Sequence, residues 1–114
     1  MRWGLPTETI MVMHKILAQH PAVEQAIIYG SRAKGTDHPG SDIDLTLVGK
    51  DLSFDDLLKI MQEFYESAIP YTVDLSMWDL IEDINVRNHI DRCGQVFFDR
   101  EKDASSVFEK RYNR

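Results

Sequence analysis

Ala26-Ile27-Ile28-Tyr29-Gly30-Ser31-Arg32-Ala33-Lys34-Gly35 is the stretch from which the fold can first be read. Its apolar head, Ala26 to Tyr29, is too short for a helix and rich in strand formers, and Gly30-Ser31 stops it abruptly. That pattern predicts a strand running into a tight turn. A glycine at the turn lets the backbone come close to a ligand. Ser31 offers a hydroxyl and an amide, and a helical turn opening there aims N–H groups at an anion. Arg32 and Lys34 add two positive charges. The spacing is neither Gly-x-x-x-x-Gly-Lys-Ser/Thr nor Gly-x-Gly-x-x-Gly, which excludes a Walker loop and a dinucleotide fingerprint. Taken alone, the segment fits a plain strand-to-helix turn as well as it fits phosphate binding.

Downstream, residues 35–41 (Gly-Thr-Asp-His-Pro-Gly-Ser) have the composition of a loop. Asp42 to Val48 then alternates, with Asp42, Asp44 and Thr46 on one face and Ile43, Leu45 and Leu47 on the other, as in a half-buried strand. Tyr71 to Ser76 alternates likewise and places Asp74 on the polar side. If the two strands are neighbours, three carboxylates converge on one patch. Their mutual repulsion calls for a cation between them, and a hard divalent ion such as Mg²⁺ suits oxygen ligands. Two such ions can clamp the attacking and leaving oxygens of a phosphoryl transfer. A single Asp-x-Asp would more simply be a solvated sheet face; the third carboxylate on a separate strand favours the metal reading.

Around this centre the remaining elements form an α-β-β-α-β-α-β order. Thr7 to Gln19 reads as a helix with Thr7 as N-cap and a stripe of Ile10, Met13 and Leu17, widened by Met11 and Ile16. Ser53-Phe54-Asp55-Asp56 opens a second helix through a capping box, with Leu57, Leu58, Met61, Phe64 and Tyr65 as its apolar stripe. A weaker helix spans Asp79 to Arg92 and stops at Gly94; Val96 to Phe98 is a last strand. The residues from Asp99 to Arg114 form a charged tail in which Val107, Phe108 and Tyr112 could share a helix face. The fold class expected is α/β (α+β): one domain over residues 1–114, a small mixed sheet of about four strands with helices on one side. His14 is expected on a helix surface, Asp37 and His38 in solvent, and Trp3 and Trp78 in packing roles. His20 and His89 show no ligand spacing.

Composition narrows the function. The chain has 114 residues, Lys+Arg 13 against Asp+Glu 19, a net charge of −6, 43% hydrophobic and 28% charged residues. This is a globular balance, and an acidic one that argues against long nucleic acid as a partner. One cysteine cannot form an internal disulfide, which suits the cytoplasm. No apolar run approaches the roughly 18–20 residues of a membrane span.

In combination, Tyr29-Gly30-Ser31-Arg32-Ala33-Lys34-Gly35, Ser41-Asp42-Ile43-Asp44-Leu45 and Val73-Asp74-Leu75 resemble the minimal nucleotidyltransferases of the DNA polymerase beta-like superfamily. The resemblance implies a palm-like fold and Gly30 and Ser31 gripping the β- and γ-phosphates of ATP or another nucleoside triphosphate. It implies Asp42 and Asp44 binding two Mg²⁺ ions (Mn²⁺ as an alternative) and Asp74 binding the one that activates the attacking hydroxyl. In-line attack on the α-phosphate would release pyrophosphate. Arg32 and Lys34 join the nucleotide-binding set; Lys34 stands where many members carry Arg, which keeps charge but loses bidentate contact. Larger members hold the acceptor on a second domain, for which the 40 residues after Asp74 are too few. The expectation is a hetero-oligomer with a HEPN-type helical protein, resembling a toxin–antitoxin pair in which AMP is added to the partner. Two other readings fit the same residues: a non-catalytic nucleotide-binding antitoxin acting by contact, and nucleotidylation of a small molecule such as an aminoglycoside.

Overall fold

The computed structural model of the chain describes residues 1–102; Val107, Phe108 and Tyr112 lie outside them. The elements in chain order are α1 (Thr7–Ala18), β1 (Gln25–Tyr29), α2 (Ser31–Lys34), β2 (Ile43–Val48), α3 (Phe54–Glu66), β3 (Val73–Met77), a 3₁₀ turn (Trp78–Leu80), α4 (Ile84–Cys93) and β4 (Gln95–Asp99). The strands form one mixed sheet in the order β3-β2-β1-β4. β1 runs antiparallel to β2 and β4, and β2 runs parallel to β3. The parallel pair is joined through α3, as a crossover between parallel strands requires.

One sheet face builds the core. Ala26 and Ile28 of β1, Ile43, Leu45 and Leu47 of β2, and Leu75 and Met77 of β3 are buried against Met13 and Leu17 of α1 and Leu57, Ile60 and Phe64 of α3. Each such side chain contributes roughly 1.5–3 kcal/mol by leaving water. The expected one-sided layer therefore holds for α1 and α3. By contrast α4 reaches β1 across the other face: His89 packs against Tyr29, and a Cβ on Gly94 would meet Ile27. Ile27 and Tyr29 alternate with Ala26 and Ile28, so they point away from the core.

Several local expectations change. Pro6 occupies the N-cap of α1, and Thr7 is the first helical residue; Pro6 already has the extended ψ an N-cap needs. The Ser53/Asp56 capping box of α3 forms in both directions, a motif worth about 1 kcal/mol. Its apolar stripe divides: Leu57 and Phe64 are buried together with Ile60, whereas Leu58, Met61 and Tyr65 face solvent. The helix expected from Asp79 begins only at Ile84, capped by the Asp83 side chain. His14 is not a surface residue: its ring bonds the Phe97 carbonyl at 2.6 Å and stacks edge-on to Phe97 and Phe98.

The start of the presumed tail is structural. Asp99 accepts a hydrogen bond from Gln25. Arg100 donates to the carbonyls of Val23, Leu17, Ala18 and His20 at 2.7–3.3 Å. Its guanidinium thereby caps the C-terminal carbonyls of α1, where a cation also meets the negative end of the helix dipole.

Candidate functional site

The site is set by strand register. Tyr29 at the end of β1 pairs with Asp44 near the start of β2, and Asp44 pairs with Asp74 near the start of β3. Directly opposed residues in a sheet point to the same face, so a phenol and two carboxylates stand side by side on neighbouring strands. Strands lie about 4.8 Å apart. Asp42 sits two residues before Asp44, just outside β2, and is exposed, as is Asp74. The two acidic strands are thus adjacent, and the three carboxylates gather at one sheet end.

The electrostatics follow. Asp44 has its pKa raised above 3.8, first by burial and then by the charges of Asp74 and Asp42, with His89 pulling it back down. Tyr29 is raised above 10.0, mainly by burial and further by Asp44 and Asp74, against a hydrogen bond from Ser76. Like charges are concentrated here, with His89 offsetting them only in part, the condition that favours binding a cation.

Gly30 completes the contact. Its φ is +75°, and a Cβ built on it would overlap the Asp44 carboxylate. Only glycine fits both the backbone and the space. It is also the N-cap of α2, whose first amides have no partner within the helix. Ser31 is partly exposed at that turn, and Lys34 is exposed at the end of α2. Gly30 therefore lies against the Asp44 carboxylate, with Ser31 next to it in the chain.

Arg32 does not face that opening. Its residue is 2% exposed. Nε and Nη2 donate to the Ser41 carbonyl at 3.3 and 2.8 Å, and Nη1 donates to the carbonyls of Trp3 and Gly4 at 3.0 and 3.3 Å. Asp37 pairs with it at 3.6 Å, and its guanidinium lies 5.1 Å from the Tyr71 ring centroid. Its donors are spent on holding the N-terminal loop to the loop ahead of Asp42. The expectation that Arg32 binds nucleotide is replaced by a positioning role, and Asp37 is its counter-ion rather than a solvated loop residue.

Two residues were missed from sequence. Tyr29 reads as the last apolar residue of a strand, and His89 as an isolated histidine; their rings meet edge-on with centroids 6.3 Å apart. Only the return of α4 across β1, some 60 residues later in the chain, brings them together. Trp3 packs on Phe97, and Trp78 lies under the Arg87 guanidinium, 4.0 Å away. Both tryptophans pack, as expected.

Among the described residues no three His, Cys, Asp or Glu side chains converge tightly enough to enclose a cation unaided. The donors nonetheless suit a hard divalent ion: all are carboxylates, and the repulsion of Asp74 and Asp42 on Asp44 outweighs the pull of His89. Mg²⁺ is commonly held by one or two carboxylates plus substrate phosphates and water rather than by an all-protein cage. Paired acids beside a phosphate-sized turn match that mode.

A mixed four-stranded sheet with paired acids beside a Gly-Ser turn is the frame of a nucleotidyltransferase, and the family model described as polymerase beta, nucleotidyltransferase matches residues 12–103. The chain belongs to this family. Solved structures with the same fold include a toxin–antitoxin complex with AMP-PNP, at 23% identity and TM-score 0.65, covering 86% of this chain and 77% of that one. Another is the tri-AMPylated Shewanella oneidensis HEPN toxin in complex with MNT antitoxin (18% identity, TM-score 0.61, 90% and 80% covered). A third is the toxin–antitoxin MntA–HepT (18%, 0.62, 86% and 76%). No curated protein matches by sequence. Among the described residues no helix is long and apolar enough to cross a membrane.

Proposed function

We propose that this chain is a single-domain, metal-dependent nucleotidyltransferase of the cytoplasm that moves AMP from ATP to a hydroxyl of a HEPN-type helical protein, acting as the antitoxin-like subunit of that pair. The observation that carries the reading is the lateral row Tyr29–Asp44–Asp74 with Gly30 closed against the Asp44 carboxylate. That row joins a place for phosphates to a place for cations. The fold likeness to toxin–antitoxin complexes, one with AMP-PNP and one with an AMPylated HEPN toxin, supports the choice of nucleotide and partner.

In this reading the Gly30-Ser31 turn holds the β- and γ-phosphates through backbone amides and the Ser31 hydroxyl, with Lys34 adding positive charge. Asp42, Asp44 and Asp74 hold the divalent cations. When bound, these ions offset the charge of carboxylates and triphosphate and make the acceptor hydroxyl more acidic. The hydroxyl oxygen forms a bond to the α-phosphorus as the bond to the β-phosphate oxygen breaks, and pyrophosphate leaves. Asp74, at the open edge of the sheet, is the carboxylate best placed to take the hydroxyl proton. Arg32 fixes the loop that presents Asp42.

The test is incubation with α-labelled ATP, Mg²⁺ and the protein encoded by the neighbouring gene. Label is expected on that protein, and Asp44→Ala is expected to reduce its incorporation at least 100-fold. Inhibition of the HEPN-type protein that survives in Asp44→Ala, with no label in the wild type, would instead establish a contact-only antitoxin.

A further inference from the structure

The division of the α3 stripe leaves an apolar surface that the fold does not use. Phe54, Leu58, Met61 and Tyr65 are 57%, 48%, 42% and 88% exposed. At spacings of four, three and four residues they form one continuous line along α3, on a different arc from the buried Leu57, Ile60 and Phe64. Beside this line, Leu58, Met61 and Tyr65 share a cavity of about 740 Å³ with Ile69, Tyr71 and Val73. Among the described residues no charged side chain lines it. A contiguous exposed apolar surface of this kind marks a contact with another molecule, and an apolar helix face beside a groove is the geometry that accepts an amphipathic helix.

Two observations choose the occupant. The groove wall Tyr71–Thr72–Val73 runs directly into Asp74, and β3 is the edge strand of the sheet. Val73 packs toward the core and Asp74, the next residue, points to the opposite face, so a chain seated there reaches the carboxylates round the free edge of β3. Of the four acids of α3, Asp56 closes the capping box and Glu63 pairs with His20, which leaves Asp55 and Glu66 against Lys59. On a helical wheel Asp55 and Glu66 border one side of the exposed line. A second copy packed face to face would oppose these acids, and an anionic lipid surface would be repelled by them.

Building on the function proposed above, we infer that the α3 groove is the docking site of the acceptor protein. Its occupant is an amphipathic helix with an apolar stripe bordered by Lys or Arg, which presents the hydroxyl-bearing segment to the Asp74 edge. The surface thus supplies the acceptor-holding role that the catalytic sheet lacks.

The test measures the affinity of this chain for the protein encoded by the neighbouring gene by calorimetry. Leu58→Ser/Met61→Ser, both on exposed positions, is expected to raise Kd at least tenfold while leaving Mg²⁺-dependent ATP binding and the thermal melt unchanged. Asp55→Lys/Glu66→Lys is expected to weaken the complex and flatten its salt dependence. An unaltered Kd in the serine variant overturns the assignment, as does the absence of any complex with the wild type. A self-association seen by sedimentation, or binding to phosphatidylglycerol vesicles, that the serine variant abolishes overturns it in favour of those occupants. A complex that needs the groove but transfers no nucleotide would retain the docking site and refute the transfer reaction. Labelling that needs Asp44 but not the groove would do the reverse.

Discussion

The two ends of the sheet treat polar groups in opposite ways. At the end formed by Gln25, Val48 and Asp99, polar groups are paired: Gln25 donates to Asp99 at 3.0 Å, Glu24 accepts from the Lys50 amide at 2.7 Å, and Arg100 closes four carbonyls. Asp99 is held below its ordinary pKa of 3.8, first by the Gln25 hydrogen bond and then by the Lys102 amide. At the end formed by Tyr29, Asp44 and Asp74, the acids face one another, and Asp44 is pushed the other way. The lesson is that one end is built for stability. The other stores repulsion that only a ligand relieves, the pattern expected of a site evolved to bind.

Breaking that contrast at the site has the largest expected effect. Gly30→Ala forces a Cβ into the space of the Asp44 carboxylate and a side chain onto a left-handed φ. Nucleotidyl transfer is expected to fall at least 100-fold in a labelled-ATP assay; at φ +75° and ψ −155°, a region essentially reserved to glycine, the backbone penalty is about 1–3 kcal/mol. At the opposite end, Arg100→Ala leaves the α1 carbonyls uncapped and is expected to cost about 2–4 kcal/mol by urea denaturation. ATP affinity at a temperature where the variant is folded is expected to stay the same. A loss of ATP affinity there would show that the two ends are coupled.

The smallest effect sharpens the contrast through pH. Because the folded pKa of Asp44 is raised above 3.8, its ionised form weakens the fold by a constant amount above the folded pKa, and the penalty fades as pH falls through that pKa toward 3.8. Asp44→Asn is therefore expected to raise Tm at pH 7 by roughly 1–4 °C, screened by the residue's partial exposure, while abolishing transfer. Asp99 and Asp56 have lowered pKa values, so their contributions hold above about 3.8 and are lost only in stronger acid. Thermal melts across pH 2–8 would then show wild-type stability greatest in weakly acidic solution, with the acid side of the maximum unchanged in Asp44→Asn.

Much of this arrangement could be read before any coordinates. The strands β2 and β3 announce themselves because a half-buried strand must alternate, and the same alternation fixes Asp44 and Asp74 on one face. Their adjacency could only be posed as a condition, since strand order depends on long-range pairing. Alpha-helical periodicity failed at α3 for a definable reason. Apolar residues occupy more than half of its wheel, and the spacing of Leu57, Leu58, Met61, Phe64 and Tyr65 does not say which arc the sheet covers. Ile60, which the core chose, lies outside that set. Arg32 misled because a cation after a Gly-Ser turn looks like a phosphate ligand; the carbonyls of Trp3, Gly4 and Ser41 that claim it carry no sequence signal at all. His89 was invisible for the same reason, its role being conferred by a helix that crosses the sheet.

Arg32 has a practical consequence for anyone handling this molecule. Its guanidinium ties Trp3 and Gly4 to the residue just before Asp42, so this short stretch acts as a brace for the loop that carries Asp42. Trimming by an aminopeptidase past Trp3 would loosen that brace from a distance.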